Sequence, residues 1–514
     1  MADERGWSRR ELIRAGSAML ARVAGVAGVA GAAGMSGLAG LATAGCGQRR
    51  PSAAASSAAA APPPPADLTL RIGPVELEVA KGRTVRTTGY NGSAPGPLIR
   101  LREGRTVSVE IVNGTAAAEL VHWHGQIVPA AVDGAAEEGS LAVPAHGRLR
   151  YQLQPGPGGF RFVHTHAAAG GDLTRGSYGG QFAPVYVEPR DEPGRFDQEV
   201  FLVTHEWEPQ LQGGEMEDEE EEAGEGEGPE AARGKALGAA VAAAEQRPNG
   251  WEVGYRLFSI NGHALGFGEP LRVREGQRVL LRVLNASATE NIRLALPAHR
   301  FQILALDGNP VPRPQTVDVL RLGTAERIDA LVEMSQPGVW VLGTPRDDDR
   351  NAGMGIVVEY AGRGGAPQWR PAPKTRWDYT AFGGARPAPR PDQVIPLVFG
   401  KINGGKGGFN RWTVNGKPYG EQGPPQTLRL GARCRLALDN HTDDAHPIHL
   451  HRNLFELVSV GGRTTSGVMK DVVLVPPFGR VEVDFTPKQP GLTLFHCHQQ
   501  LHMDYGFMKL FDVV

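Results

Sequence analysis

Apolar and polar residues alternate along short stretches of this chain, and the alternation comes back three times. Ile99-Arg100-Leu101-Arg102 runs into a Glu103-Gly104 turn and is followed by Val107-Ser108-Val109-Glu110-Ile111-Val112-Asn113. A period of two puts one set of side chains on a buried face and the other in water, which predicts strands. The same string returns as Leu271-Arg272-Val273-Arg274-Glu275-Gly276 and residues 279–285, then as Leu428-Arg429-Leu430-Gly431 and Cys434–Asn440. Each copy is preceded by an Asn-Gly pair: Asn91-Gly92, Asn261-Gly262 and Asn415-Gly416. The copies start about 150 to 170 residues apart, which is domain spacing rather than solenoid spacing. The pattern predicts an all-β chain of three consecutive Greek-key β-sandwich domains, over residues 67–190, 195–362 and 390–514. A Pro-, Gly- and Arg-rich stretch, residues 362–391, reads as a linker.

Composition agrees with this reading. The chain has 514 residues with 69 Gly and 40 Pro, too long for one core and rich in turn formers. A net charge of −2 gives no reason to expect nucleic-acid binding. The charge is unevenly placed: residues 215–230 hold ten carboxylates. They read as a solvated insertion in the second domain, about residues 210–248, although hard cations such as Mn(II) or Fe(II) could collect there. Three cysteines, Cys46, Cys434 and Cys497, are too few for a disulfide framework. Cys434, in an alternating segment, reads as a small buried hydrophobe.

The N-terminus carries an address. Ser8-Arg9-Arg10 and the apolar, small-residue run that follows resemble a twin-arginine export signal over residues 1–46. Its end, Ala44-Gly45-Cys46, resembles a lipobox, so Cys46 is a candidate lipid anchor to the membrane. Residues 47–66, rich in Ser, Ala and Pro, read as a tether. The expected location is the periplasm or the cell surface.

Ten of the 15 histidines fall in four short clusters. These are His122-Trp123-His124, His164-Thr165-His166, His446-Pro447-Ile448-His449-Leu450-His451 and His496-Cys497-His498 with His502. On a strand, residues i and i+2 point the same way, so each His-X-His presents two imidazoles together. Four such pairs, from the first and third domains, supply eight imidazoles. That number suits a cluster of three metals and exceeds the four ligands of a structural zinc. His446, His502 and Cys497 remain, and two imidazoles with a thiolate form the trigonal set of a blue-copper site. Cys497 lies between His496 and His498, so its backbone joins the two sites. His146, His205, His263, His299 and His441 stand alone and read as ordinary polar residues.

These motifs resemble those of the multicopper oxidases, a family that includes laccases, ascorbate oxidase and bacterial cuprous oxidases. The resemblance covers nearly the whole chain after the signal and implies three cupredoxin-like domains with four copper ions. It implies a type 1 copper on His446, Cys497 and His502, and a type 2 copper on His122 and His449. It implies a type 3 pair, one ion on His124, His164 and His498, the other on His166, His451 and His496. The middle domain, with Leu296-Pro297-Ala298-His299 at the equivalent place, keeps the fold without copper. The implied activity passes single electrons from a donor to dioxygen, which becomes two waters.

Two positions depart from the family pattern. Where many members carry an axial Met, this chain has Phe507 followed by Met508. A non-coordinating side chain there favours reduced copper and a raised potential. Dioxygen reduction also needs protons. The resemblance points to Asp133, eleven residues after His122, and to Asp504, two after His502, as suppliers, with Met503 where relatives are acidic. Nine Met with no Met-rich run favour phenols or aromatic amines as donors over Cu(I), Fe(II) or Mn(II). A copper-sequestering envelope protein without catalysis is the non-enzymatic alternative.

Overall fold

The structure is a computed structural model that describes residues 64–190, 195–213, 250–373 and 376–514. The stretch read as an export signal, Cys46, most of the stretch read as a tether and the ten-carboxylate segment lie outside these residues.

The described chain folds as three copies of one plan, each with two facing sheets. The first copy pairs a sheet of Arg83–Tyr90, Leu68–Ala80, Val107–Asn113 and Arg148–Leu153 with one of Ile99–Arg102, Phe182–Glu188, Gly159–Thr165 and Val121–His124. The middle copy has sheets of six and five strands, and the third sheets of seven and five. Two parallel pairings recur in all three. Leu68–Ala80 with Val107–Asn113 matches Gln198–Trp207 with Arg278–Asn285, and Gln393–Ile402 with Cys434–Asn440. Ile99–Arg102 with Phe182–Glu188 matches Leu271–Val273 with Gly355–Tyr360, and Gln426–Leu428 with Met508–Val513. This is the β-sandwich expected from the repeats, in the cupredoxin-like form that the family resemblance implies.

The repeated asparagines explain why the plan recurs. Asn91, Asn261 and Asn415 all take positive φ, 52°, 54° and 54°, and each is followed by a positive-φ glycine. That is the tight hairpin turn Asn-Gly favours. Each side-chain oxygen also accepts a backbone N–H at 2.8 Å, from Arg71, Val203 and Val398. A second set, Asn113, Asn285 and Asn440, is buried at the strand ends. Their amides donate to Ala117 O, Glu290 O and Asp444 O, at 2.7, 2.8 and 2.7 Å, and fold the following loop back.

The stretch read as a linker is partly core. Within it a short turn of helix, Tyr379–Phe382, buries both aromatic rings, and the Tyr379 hydroxyl donates to Glu326 at 2.6 Å. Gly, Pro and Arg set the composition, but Trp377, Tyr379 and Phe382 pack on one another and decide where the segment lies. Of the insertion, only its stem is described, the antiparallel pair Gln210–Gly213 and Trp251–Gly254.

Candidate metal centre

Four strands bring the histidine clusters together. Val121–His124 pairs antiparallel with Gly159–Thr165 and sets His122 opposite His164. In the third repeat His446–Leu450 pairs with Gly491–Cys497, which sets His449 opposite His496 and Ile448 opposite Cys497. His166, His451 and His498 follow directly after these strands. Rings from the two repeats then interleave. His124 stacks on His449 at 3.8 Å between centroids and His122 on His451 at 4.0 Å. His124 and His498 are 5.0 Å apart, and His166 and His496 are 5.2 Å apart. All eight imidazoles are buried.

Their nitrogens show what the cluster can hold. His122, His164 and His449 donate Nδ1–H to Asp133 O, Thr165 O and Asp471 O, at 2.9, 2.8 and 2.7 Å. Each keeps a buried Nε2 without a partner. His124 is reversed: Nε2 lies 3.1 Å from Asp471 Oδ1, and Nδ1 is left free. His166 and His498 have neither nitrogen paired. His451 and His496 use Nδ1 on Asp133 Oδ2 and Cys497 O, so their Nε2 atoms face each other as lone pairs at 3.0 Å. Two bare lone pairs in contact repel unless a cation lies between them. Burial first, and then the neighbouring imidazoles, hold His124, His164, His166, His451 and His498 well below the ordinary histidine range. Neutral imidazoles with orphaned lone pairs fit metal ions, and the donor set fits copper. One trio, His166, His451 and His496, has its ligand atoms mutually within 4.8 Å.

The second site is His446, Cys497 and His502, also within 4.8 Å of one another. The sulfur lies 3.7 Å from His446 Nδ1 and 3.5 Å from His502 Nδ1. Burial pushes the Cys497 thiol up, so a bound cation is what would hold it as thiolate. Thr442 Oγ1 lies 2.7 Å from His446 Nε2 and fixes that ring. Phe507, fully buried, packs 4.8 Å from the His446 ring and 4.8 Å from Phe399. Met508 pairs with His496 and so belongs to the strand face opposite Cys497. Trp412 covers the site, 3.8 Å from the His502 ring and 5.1 Å from His446.

The two carboxylates named from the sequence sit differently. Asp133 ends a short helical turn, Ala130–Asp133, and is fully buried. Its Oδ2 is 2.8 Å from His451 Nδ1 and 3.2 Å from His122 Nδ1, while Oδ1 has no partner. Asp504 instead clamps a loop: Oδ2 accepts the N–H of Ala169 and Gly170, and Oδ1 accepts from Gln500. None of its hydrogen bonds reaches a cluster imidazole.

Sequence reasoning missed three neighbours of the two sites. Glu138 lies 3.5 Å from His451 Nδ1 and 3.2 Å from Arg452 Nε, and its Oε1 accepts the Leu494 N–H. Asp471 touches His124 through its carboxylate and His449 through its carbonyl. Trp412 lies over His502. The one signal for Asp471 is the charged pair Lys470-Asp471 abutting the all-apolar strand Val472–Val475. Of the histidines read as ordinary, His299 and His441 are held by protein groups, while His205 keeps Nδ1 on Ala286 O at 2.9 Å and an unpartnered Nε2. His299 has both nitrogens engaged, with Pro297 O at 2.8 Å and the Tyr360 hydroxyl at 2.5 Å. His441 meets Asp439 at 3.3 Å. Cys434 is buried in the core as a free thiol.

Comparison with known proteins agrees with this geometry. Sequence profiles described as multicopper oxidase match residues 71–192, 235–360 and 396–514. The multicopper oxidase MmcO of Mycobacterium tuberculosis is 30% identical over 87% of this chain and 86% of its own length. Copper resistance protein A of Pseudomonas syringae pv. tomato is 24% identical over 86% of this chain and 92% of its own. The crystal structure of a multi-copper oxidase from Pseudomonas thermotolerans superposes with a TM-score of 0.63 at 26% identity, covering 87% of this chain and 98% of that one. The chain belongs to the multicopper oxidases, copper-dependent oxidoreductases that take electrons from a reducing substrate and pass them to dioxygen.

Proposed function

We propose that this protein is a laccase-like oxidase holding four copper ions, whose donors are phenols or aromatic amines. Copper bound here supplies one-electron redox chemistry at Cys497 and four-electron reduction of dioxygen at the histidine cluster. His446, Cys497 and His502 would hold the type 1 ion, and His122 and His449 the type 2 ion. His124, His164 and His498 would hold one type 3 ion, and His166, His451 and His496 the other. The backbone of His496-Cys497-His498 links the two sites, so an electron reaching the sulfur has a covalent route of one residue in either direction.

The observation that carries the donor class is the cover over the type 1 ligands. His446 and Cys497 are 0% exposed and His502 2%, so a donor cannot coordinate there directly. The cover is aromatic: Trp412, itself fully buried, lies on His502, and Tyr505, whose carbonyl accepts the Trp412 backbone N–H, is half-buried and stacks on Phe409 at 4.3 Å. Trp251, 38% exposed, lies beside Phe409. Stacked rings of this kind favour planar aromatic donors. Phe507 packed on His446 supports a raised type 1 potential, which suits phenols. Asp133, with Oδ1 unpartnered beside two cluster imidazoles, holds and delivers protons for water formation. Export by the twin-arginine route to the periplasm or cell surface, with Cys46 as a possible lipid anchor, completes the proposal.

A metal-ion donor is the second reading, favoured by the likeness to a copper resistance protein. Oxygen uptake by the copper-loaded protein, with a phenol and Cu(I) side by side and uncatalysed oxidation subtracted, separates the two. Faster uptake with the phenol is expected. Faster uptake with Cu(I) makes the protein a metal oxidase.

A further inference from the structure

The middle repeat contributes no imidazole to the cluster, yet two of its side chains end on Asp471, a residue that touches it. Arg327 is fully buried and spends all five of its N–H groups. Nη1 donates to Asp471 Oδ1 at 2.6 Å and to Ala325 O at 2.9 Å. Nη2 donates to Asp471 Oδ2 at 2.6 Å and to Asp307 O at 3.2 Å. Nε donates at 3.2 Å to the carbonyl of Phe160, on the first-repeat strand that carries His164. The guanidinium also lies 5.9 Å from the ring of Phe162, which stacks on His124 at 4.5 Å and on His164 at 4.9 Å. Asp307 holds the other side of the same residue: its Oδ2 accepts the backbone N–H of Asp471 at 3.2 Å and of Val472 at 3.1 Å. Arg161, from the first repeat, adds a donor to Asp471 Oδ2 at 3.0 Å.

All of this converges on Asp471, and Asp471 touches two cluster imidazoles. Its Oδ1 takes the His124 Nε2–H at 3.1 Å, which leaves Nδ1 as that ring's ligand atom. Its carbonyl takes the His449 Nδ1–H at 2.7 Å, which leaves Nε2. The opposite choice of nitrogen in His124 and His449 is thus set by one residue. Space around it is tight. Gly125, next to His124 at φ +76°, has Asp471 Oδ2 only 2.6 Å from where a Cβ would stand, so no larger residue fits.

We infer that Arg327 and Asp307 are positioning residues through which the copper-free middle repeat aligns the cluster: they fix Asp471, and Asp471 fixes the tautomer and orientation of His124 and His449. The fork is the essential element, because it holds both carboxylate oxygens at once, which a lysine cannot do. The type 1 ligands share no hydrogen bond with this group, so the two centres respond separately.

This inference rests on the reading that the eight imidazoles hold copper. The test uses the full copper-loaded chain as wild type, Arg327→Met and Arg327→Lys. The readouts are blue absorption, the type 2 EPR spectrum and release of copper to a chelator. In Arg327→Met the blue absorption is unchanged, the type 2 spectrum shifts, and cluster copper is held about 10- to 100-fold less tightly. Arg327→Lys, with the charge but not the fork, falls between. Wild-type cluster spectra and affinity in Arg327→Met overturn the inference. So does loss of blue and cluster copper in step, which would make Arg327 a general stabiliser. If Arg327→Met does not fold, the same readouts on Arg327→Lys decide. A wild type with blue copper but an empty cluster would instead overturn the copper assignment beneath the inference.

Discussion

The outer repeats and the middle one share their strand plan, their Asn-Gly turns and their buried asparagines, yet the outer ones gather their buried imidazoles and the middle one keeps His205 and His299 apart. His299 has both nitrogens engaged by groups of its own repeat. In the cluster, six of the eight imidazoles keep a buried nitrogen with no protein partner, and the other two present bare lone pairs to each other. An unsatisfied buried polar atom costs about 1–3 kcal/mol, and six such rings in one place persist only because something else takes the lone pairs. The comparison teaches that ligand histidines are recognised by leftover nitrogens that converge on one another: His205 in the middle repeat is buried with one unpartnered Nε2, but its ring lies between Phe182 and Trp207. Burial and a depressed titration range do not separate the two kinds, because His299 shares both.

The largest expected effect breaks that comparison directly. His496→Ala should empty the cluster and reduce oxygen uptake to background. His299→Ala should leave copper content and uptake intact and cost roughly 1–3 kcal/mol in urea unfolding. Copper loss in the second variant would mean that satisfied and unsatisfied rings are not functionally distinct. A smaller effect is expected at Asp133. Asp133→Asn should slow oxygen reduction roughly 10- to 100-fold, while the blue absorption stays, and an unchanged rate would remove Asp133 from proton supply.

A third prediction sharpens the contrast on the middle repeat's side. Glu206 is fully buried, with Oε1 accepting from Ser287 and Ala288 and Oε2 unpartnered. Burial pushes its carboxyl up to about 7, against hydrogen bonds from Ser287 and Ala288 that pull the other way. The folded state therefore favours the proton. Its contribution is fully present below the ordinary value of 4.5 and is lost as pH rises through about 7. The ceiling on that loss is roughly 3 kcal/mol. Urea midpoints of the wild type should fall across this window relative to Glu206→Gln, and parallel curves would refute the assignment. The smallest effect concerns tuning alone: Phe507→Met should lower the type 1 potential while leaving the blue site in place. A potential that stays or rises would show that Phe507 does not set it.

Much of this was legible in the chain. The three repeats showed because period-two alternation and Asn-Gly turns are local signals. The His-X-His pairs showed because strand geometry alone turns both rings one way. What stayed hidden depends on distant partners. Arg327 and Asp307 meet Asp471 across 144 and 164 residues of sequence, and nothing near Arg327 or Asp307 announces a partner. Tyr379 and Phe382 were masked by the Gly, Pro and Arg around them. Asp504 lies close to His502 in sequence, but it ends the Gln500–Asp504 helix and its carboxylate is taken by the N–H groups of Ala169 and Gly170 and by Gln500 instead.

The central claim is that the orphaned nitrogens and Cys497 hold four copper ions in two centres. Copper counted per chain in the reconstituted protein, with EPR on the same sample, tests it most directly. The account predicts four ions per chain with only two visible by EPR, one of them blue, because the type 3 pair is coupled. One ion per chain, or four that are all visible and none blue, would contradict it.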